Sequence, residues 1–206
     1  MSNINWEKYR NYTVEKIMTS SVEWEPYWHV VIENTLHEDL YEQVRLNWPN
    51  MADYQTKTNP KGFNQNRRIF IPESGQIDFW QEYYLNIMTH PDIQEAVYNL
   101  EELPDRGTDW VTSSLWEDYR GYGVKNHYDG YTIHTAWQTY IYCNGGERWG
   151  TSLNDEKGTE MVRLPFRNNL SWIMKVDAYS WHSCEEILCT LRQSIMTRFM
   201  AAKQSN

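Results

Sequence analysis

An imidazole and a carboxylate two positions apart, His127 and Asp129, end the run Tyr119-Arg120-Gly121-Tyr122-Gly123-Val124-Lys125-Asn126-His127-Tyr128-Asp129. If this piece is extended, side chains at i and i+2 leave the same face, so both can grip one ion. A third donor must come from a distant part of the chain that folds back. His182 is the candidate: it follows Trp181, after the apolar run at 170–174 and before the strand-like run at 192–199. Two histidines and one carboxylate, with other coordination positions left open, are the donor set that handles non-haem Fe(II).

The same three donors plus a water also describe catalytic zinc, but no glutamate stands placed as the general base of a zinc hydrolase. Each residue taken singly has a plainer role. A lone His-x-Asp is often a strand-surface hydrogen bond, and a lone histidine in the position of His182 is more often a satisfied core or loop residue. Tyr140 and Tyr142 alone are ordinary strand packing. The metal reading rests on several signals occurring in the right order.

The elements that must position these donors change character near residue 109. Before it, residues 5–19 space Trp6, Tyr9, Tyr12 or Thr13, and Ile17 at roughly helical intervals, as a helix or a draped arm, and 27–32 is a short strand-like run. Leu40, Tyr41, Val44 and Trp48 form one stripe of a helix that Pro49 stops. Residues 50–66 read as a long polar loop of the kind that is either disordered or part of a lid, 67–72 as a strand, and 77–100 as two helical segments, the second opened by His90-Pro91-Asp92. Residues 101–109 form a polar connection. After 109 come about eight short apolar runs, at 110–119, 124–129, 134–143, 148–153, 159–166, 170–176, 179–184 and 191–200, broken by Gly, Asn and Asp. This order predicts a single α+β domain over 1–206, with helices and strand support at 1–109 packed on one sheet of a jelly roll or barrel at 110–200.

Composition narrows the function classes. A chain of 206 residues with a net charge of −9 and no Lys/Arg cluster longer than a pair disfavours nucleic acid as a principal partner. The three cysteines, Cys143, Cys184 and Cys189, form no CxxC or zinc spacing, and their odd number argues against a disulfide framework. No apolar leader or membrane-length run is present, so the expectation is a soluble, cytoplasmic protein in a reducing compartment. Eleven Trp and fifteen Tyr beside five Phe suit a partly polar pocket, because their N–H and O–H groups need partners when buried.

The run 119–129, followed by Tyr140-Ile141-Tyr142-Cys143-Asn144 and Gly145-Gly146-Glu147, then Trp181-His182, then Arg192-Gln193-Ser194, resembles the motif string of the Fe(II)/2-oxoglutarate-dependent dioxygenases. It is most similar to the small branch that contains the prolyl hydroxylases. The likeness is specific across 115–200, and the strand and helix of 30–48 ending in Trp-Pro also resemble how small bacterial and phage members begin. The resemblance implies a double-stranded β-helix, the cupin-like jelly roll. It implies Fe(II) held by His127, Asp129 and His182, with 2-oxoglutarate and O₂ as cosubstrates and succinate and CO₂ as products. It places the far carboxylate of 2-oxoglutarate on Arg192, ten positions after His182, where a guanidinium fork matches a carboxylate. Tyr142 adds a hydroxyl to that carboxylate, Tyr119 lines the cofactor or substrate side, and Ser194 shares the strand face of Arg192. Because Asp129 is present, hydroxylation is expected rather than halogenation.

The sequence departs from the pattern after Gly145-Gly146-Glu147, where Arg148-Trp149 stands in place of an apolar strand residue and leaves the register open. His134 is an extra imidazole near the site. Substrate contacts are expected from Arg67 and Arg68 beside the polar loop, Trp116 and Asn126 near the triad strand, and Trp149. Such a cationic, aromatic mouth favours an anionic or amide-bearing substrate, such as an amino acid, peptide or nucleotide derivative. A zinc-dependent hydrolase and a catalytically silent cupin-like binding module are the alternatives.

Overall fold

A computed structural model describes residues 4–50, 66–72, 79–101, 110–130 and 132–200. Apart from Asn50, Asn66 and Glu101, the expected loop at 50–66 and the connection at 101–109 lie outside the described residues.

The strands are β1 (Val22–Glu23), β2 (His29–Glu33), β3 (Arg67–Phe70), β4 (Val111–Asp118), β5 (Val124–His127), β6 (Ile133–Cys143), β7 (Thr151–Asn154), β8 (Glu160–Leu164), β9 (Leu170–Lys175), β10 (His182–Cys184) and β11 (Arg192–Met200). Among the described residues they make a seven-stranded sheet ordered β1-β2-β9-β6-β11-β4-β3 and a four-stranded sheet ordered β5-β10-β7-β8, with antiparallel pairing throughout.

Four helical segments cover the outer face of the large sheet. They are α1 (Trp6–Met18), α2 (Glu38–Leu46), α3 (Phe79–Tyr83, prolonged by a π-helical turn at Tyr84–Met88) and α4 (Pro91–Glu101). The Asn5 side chain caps α1 by accepting from the Lys8 amide, and His37 caps α2 by accepting from the Asp39 amide. Proline opens α4, where no intrahelical N–H is needed. Ile17, Leu40, Val44, Trp80, Ile87, Ile93 and Val97 from these helices pack on Leu115, Trp137, Ile173, Ile195 and Phe199 of the sheet. Each such side chain contributes roughly 1.5–3 kcal/mol on burial.

The opposite face of the large sheet carries Trp116, Ala136, Tyr140, Trp172, Met174 and Met196, which meet Leu153 and Leu164 of the small sheet. The period of two along β4, β9 and β11 sorts residues between these layers. Strand β6 breaks that period twice. Its register against β11 shifts between Tyr140 and Tyr142, and again between Thr135 and Ile133. At each place one extra residue, Ile141 or His134, bulges and re-aims its neighbours. Ile141 and Tyr142 consequently both lie on the helix side, and the His134 ring packs 5.7 Å from Tyr98 and 6.0 Å from Phe199.

Two expected strands are shorter than their apolar runs. The chain after Gly146 makes a 3-10 turn at Glu147–Trp149, so β7 begins only at Thr151. Gly150 permits this entry, because a Cβ there would stand 1.7 Å from the Leu164 carbonyl oxygen on β8. Before β10, Asp177 accepts from the Tyr179 amide and forms a turn that delays the strand to His182. Among the described residues, no helix is long and apolar enough to cross a membrane.

Candidate metal centre

His127 at the end of β5 and His182 at the start of β10 are direct partners across the small sheet, and their ring centroids stand 4.3 Å apart. Cross-strand pairing thus joins two imidazoles that are distant in sequence. Asp129 lies just past the end of β5, and its Oδ1 is 3.6 Å from His127 Nε2 and 4.0 Å from His182 Nε2. One ligand atom from each of the three residues lies within 4.8 Å of the others. That spacing suits donors converging on one small cation.

Backbone carbonyls fix the orientation of both rings. His127 Nδ1 meets the Lys125 carbonyl at 2.9 Å and His182 Nδ1 meets the Ser180 carbonyl at 3.0 Å. With a cation bound, a proton kept on Nδ1 would leave each Nε2 lone pair free on the Asp129 side, which is the tautomer a metal requires. Burial pushes the Asp129 pKa up, but the His127 hydrogen bond and the charges of His182 and Arg198 outweigh it and hold the carboxyl at about 2. Burial draws the His182 pKa down. An ionised carboxylate and a neutral buried imidazole are the forms that coordinate, so these residues fit a divalent ion.

The triad opens into a cavity of about 680 Å³ between the sheets. Arg67 and Arg192 form its cationic wall. Arg192 is buried and donates to Asp118 Oδ2 through Nε at 3.0 Å and Nη2 at 2.7 Å, with Nη1 on the Trp149 carbonyl at 2.6 Å and on Cys184 Sγ at 3.0 Å. Arg67 donates to the same carboxylate through Nε and Nη2, and its guanidinium carbon lies 3.7 Å from the Trp116 ring centroid and 4.1 Å from that of Tyr122. Two guanidiniums on one carboxylate leave a net positive charge on this wall. Tyr122, Thr151, Trp172 and Gln138 complete the lining.

No family model matches the sequence, and no curated protein does. Solved structures match over nearly the whole chain. A prolyl hydroxylase from Trichoplax adhaerens, in complex with a peptide fragment of the hypoxia inducible factor oxygen degradation domain, gives a TM-score of 0.62 at 14% identity, covering 100% of this chain and 99% of that one. A prolyl-4-hydroxylase from Pseudomonas putida gives 0.59 at 12% identity, covering 92% and 97%. The chain has the prolyl-hydroxylase fold. The viral collagen prolyl hydroxylase of Paramecium Bursaria Chlorella virus-1, in its 2OG complex, agrees with a TM-score of 0.53 at 11% identity over 87% and 99%.

Within this prolyl-hydroxylase fold, the cavity gathers His127, Asp129, His182, Arg192, Arg67 and Trp116 from the expected set. Ser194 is buried just behind, where its Oγ accepts from Gln138 Nε2 at 2.9 Å. Tyr142 lies elsewhere, beside Trp48, Leu191 and Gln193, because the bulge at Ile141 turns it from the face of Tyr140. Tyr119 donates to Glu117 Oε2 at 2.6 Å and stacks on Arg68, both on the side away from the cavity by strand alternation. Asn126 is held by the Asp155 and Glu156 carbonyls, and the Trp149 ring packs in a separate cluster with Cys184, Ile187 and Cys189. His134 faces the helices. Sequence reasoning missed Asp118, Tyr122, Thr151 and Arg198. Only Arg198 left a signal, since it follows Arg192 at even spacing along β11.

Proposed function

We propose that the chain is an Fe(II)- and 2-oxoglutarate-dependent dioxygenase built on a double-stranded β-helix. It hydroxylates an unactivated C–H of an amino acid, a peptide or another small polar substrate, with release of succinate and CO₂. The observation that carries this reading is one cavity with the His127, Asp129 and His182 donors in its wall and a surplus guanidinium charge from Arg67 and Arg192 beyond them.

His127, Asp129 and His182 would hold the iron. Bound iron with 2-oxoglutarate supplies the activation of O₂, the hard chemistry that side chains lack. The two imidazoles present Nε2 because the Lys125 and Ser180 carbonyls occupy Nδ1. Asp129 stays ionised and fills the position that a halide ligand would need. Arg192 and its neighbour Arg67 attract the far carboxylate of the diacid, with the hydroxyl-bearing side chains of Tyr122 and Thr151 beside it. Trp116 and Trp172 wall the cavity and limit water. The peptide in the Trichoplax complex supports a peptide as one form of substrate. Among the described residues Asp129 is the one carboxylate lining the cavity, which leaves a zinc hydrolase without a separate general base.

Anaerobic Fe(II) with 2-oxoglutarate should give the weak visible charge-transfer band of the chelate in the wild-type protein and none in His127→Ala. A wild-type protein without the band overturns the reading. Metal content after purification without added metal separates iron from zinc.

A further inference from the structure

Arg198, near the far end of β11, lines the same cavity as Asp129. It faces Thr112 of β4 and Ala136 of β6 across the strand pairs. Its guanidinium carbon sits 5.0 Å from the Trp116 ring centroid. Unlike Arg67 and Arg192, it forms no ion pair with a carboxylate among the described residues. Its Nε is buried and meets no hydrogen-bond acceptor among the described residues. Burial draws the Arg198 pKa down, and the carboxylate opposing that effect is Asp129, which belongs to the triad. A half-buried guanidinium whose Nε lacks an acceptor gains from an anion that completes its charge.

The charges of the cavity say which anion. At the Arg192 wall, two guanidiniums on Asp118 leave one positive charge for the far carboxylate of the diacid. At the metal, Asp129 and Arg198 cancel, a divalent ion adds two positive charges, and the near carboxylate of the diacid removes one. One positive charge remains where Arg198 lines the cavity. The exposed Thr112 side chain lies directly across from Arg198, lines the same cavity and offers a hydroxyl donor.

We propose that Arg198, with Thr112, binds a carboxylate of the primary substrate, so that the substrate is a free acid or a chain terminus rather than an internal peptide segment. This rests on the oxygenase reading above. The carboxylate–guanidinium pair holds the substrate at the metal side of the cavity, with Trp116 stacked beneath the guanidinium.

The test is binding, measured by calorimetry on Mn(II)-loaded protein saturated with N-oxalylglycine. The probes are L-amino acids, 2-hydroxy acids and tripeptides, each offered as the free acid and as the terminal carboxamide. At least one free acid should bind, and its carboxamide should bind roughly tenfold to a hundredfold more weakly, the range for losing a hydrogen bond to a charged group. Arg198→Gln should erase that preference while keeping N-oxalylglycine affinity, and Arg198→Lys should restore part of it. The acid-against-amide comparison on the wild-type protein stands even if a variant fails to fold. Equal binding of acids and amides, or no acid binding at all, overturns the proposal. So does an Arg198→Gln protein that keeps the preference. If Arg198→Gln instead loses N-oxalylglycine and no acid preference exists, the carboxylate is the diacid's own and the proposal falls. Failure of the wild-type protein to bind N-oxalylglycine brings down the oxygenase reading itself, which separates the two failures.

Discussion

Asp118, with no exposed surface, is shared between Arg192 and Arg67, which reach it from strands on either side of β4. Removing the carboxylate strands two guanidiniums in the interior. Asp118→Ala should therefore lower the unfolding free energy by about 3–5 kcal/mol, read from the denaturant midpoint.

The same pair of contacts gives stability a pH dependence. Burial raises the Asp118 pKa, but the guanidiniums of Arg67 and Arg192 outweigh it and hold the carboxyl below its ordinary value. A carboxyl depressed by folding binds fewer protons in the folded state. Its contribution is complete above the unfolded value of about 3.9 and is lost as pH falls through the folded value. Wild-type stability should fall with acid below about pH 4, and Asp118→Asn should show a shallower fall. Equal slopes would remove Asp118 from the account.

Metal binding should depend on all three donors. Asp129→Ala and His182→Ala should each weaken Mn(II) binding by at least about 100-fold, beyond the usual cost of losing an outer-shell partner. Calorimetry on the metal-free protein checks it. Retained binding in either variant would show that the donors do not converge.

Tyr142 and Arg192 should separate cleanly. Tyr142 packs on the helix side of β6, so Tyr142→Phe should leave N-oxalylglycine affinity within about twofold, less than one hydrogen bond is worth. Arg192→Gln should lower it roughly tenfold to a hundredfold. The reverse order would mean that β6 runs without the bulge at Ile141.

Tyr83 tests the helix layer independently of the site. Its ring is 1% exposed and its hydroxyl meets no hydrogen-bond partner among the described residues. Tyr83→Phe should leave the fold intact and raise stability by up to about 1 kcal/mol, because a buried unsatisfied group is removed. A loss of stability on thermal unfolding would reveal a partner for the hydroxyl.

By itself the sequence determined which residues are the candidate donors and how the layers face. His127, Asp129, His182 and Arg192 carry their chemistry in side-chain type and order, and the apolar periods at Leu40, Val44, Ile93, Val97 and along β11 say which faces are buried, since those periods are local geometry. Tertiary structure alone decided which aromatic and cationic groups share the cavity. Tyr142 turns to the helix side while Tyr140 keeps to the inter-sheet side because β6 gains a residue against β11, a property of the pairing between two strands that neither displays alone. Asp118, Arg67 and Arg192 form one ion cluster, and Arg198 has no such partner among the described residues, for the same reason. Whether a buried charge is paired depends on what the rest of the chain brings to it, and spacing along one strand carries no record of that.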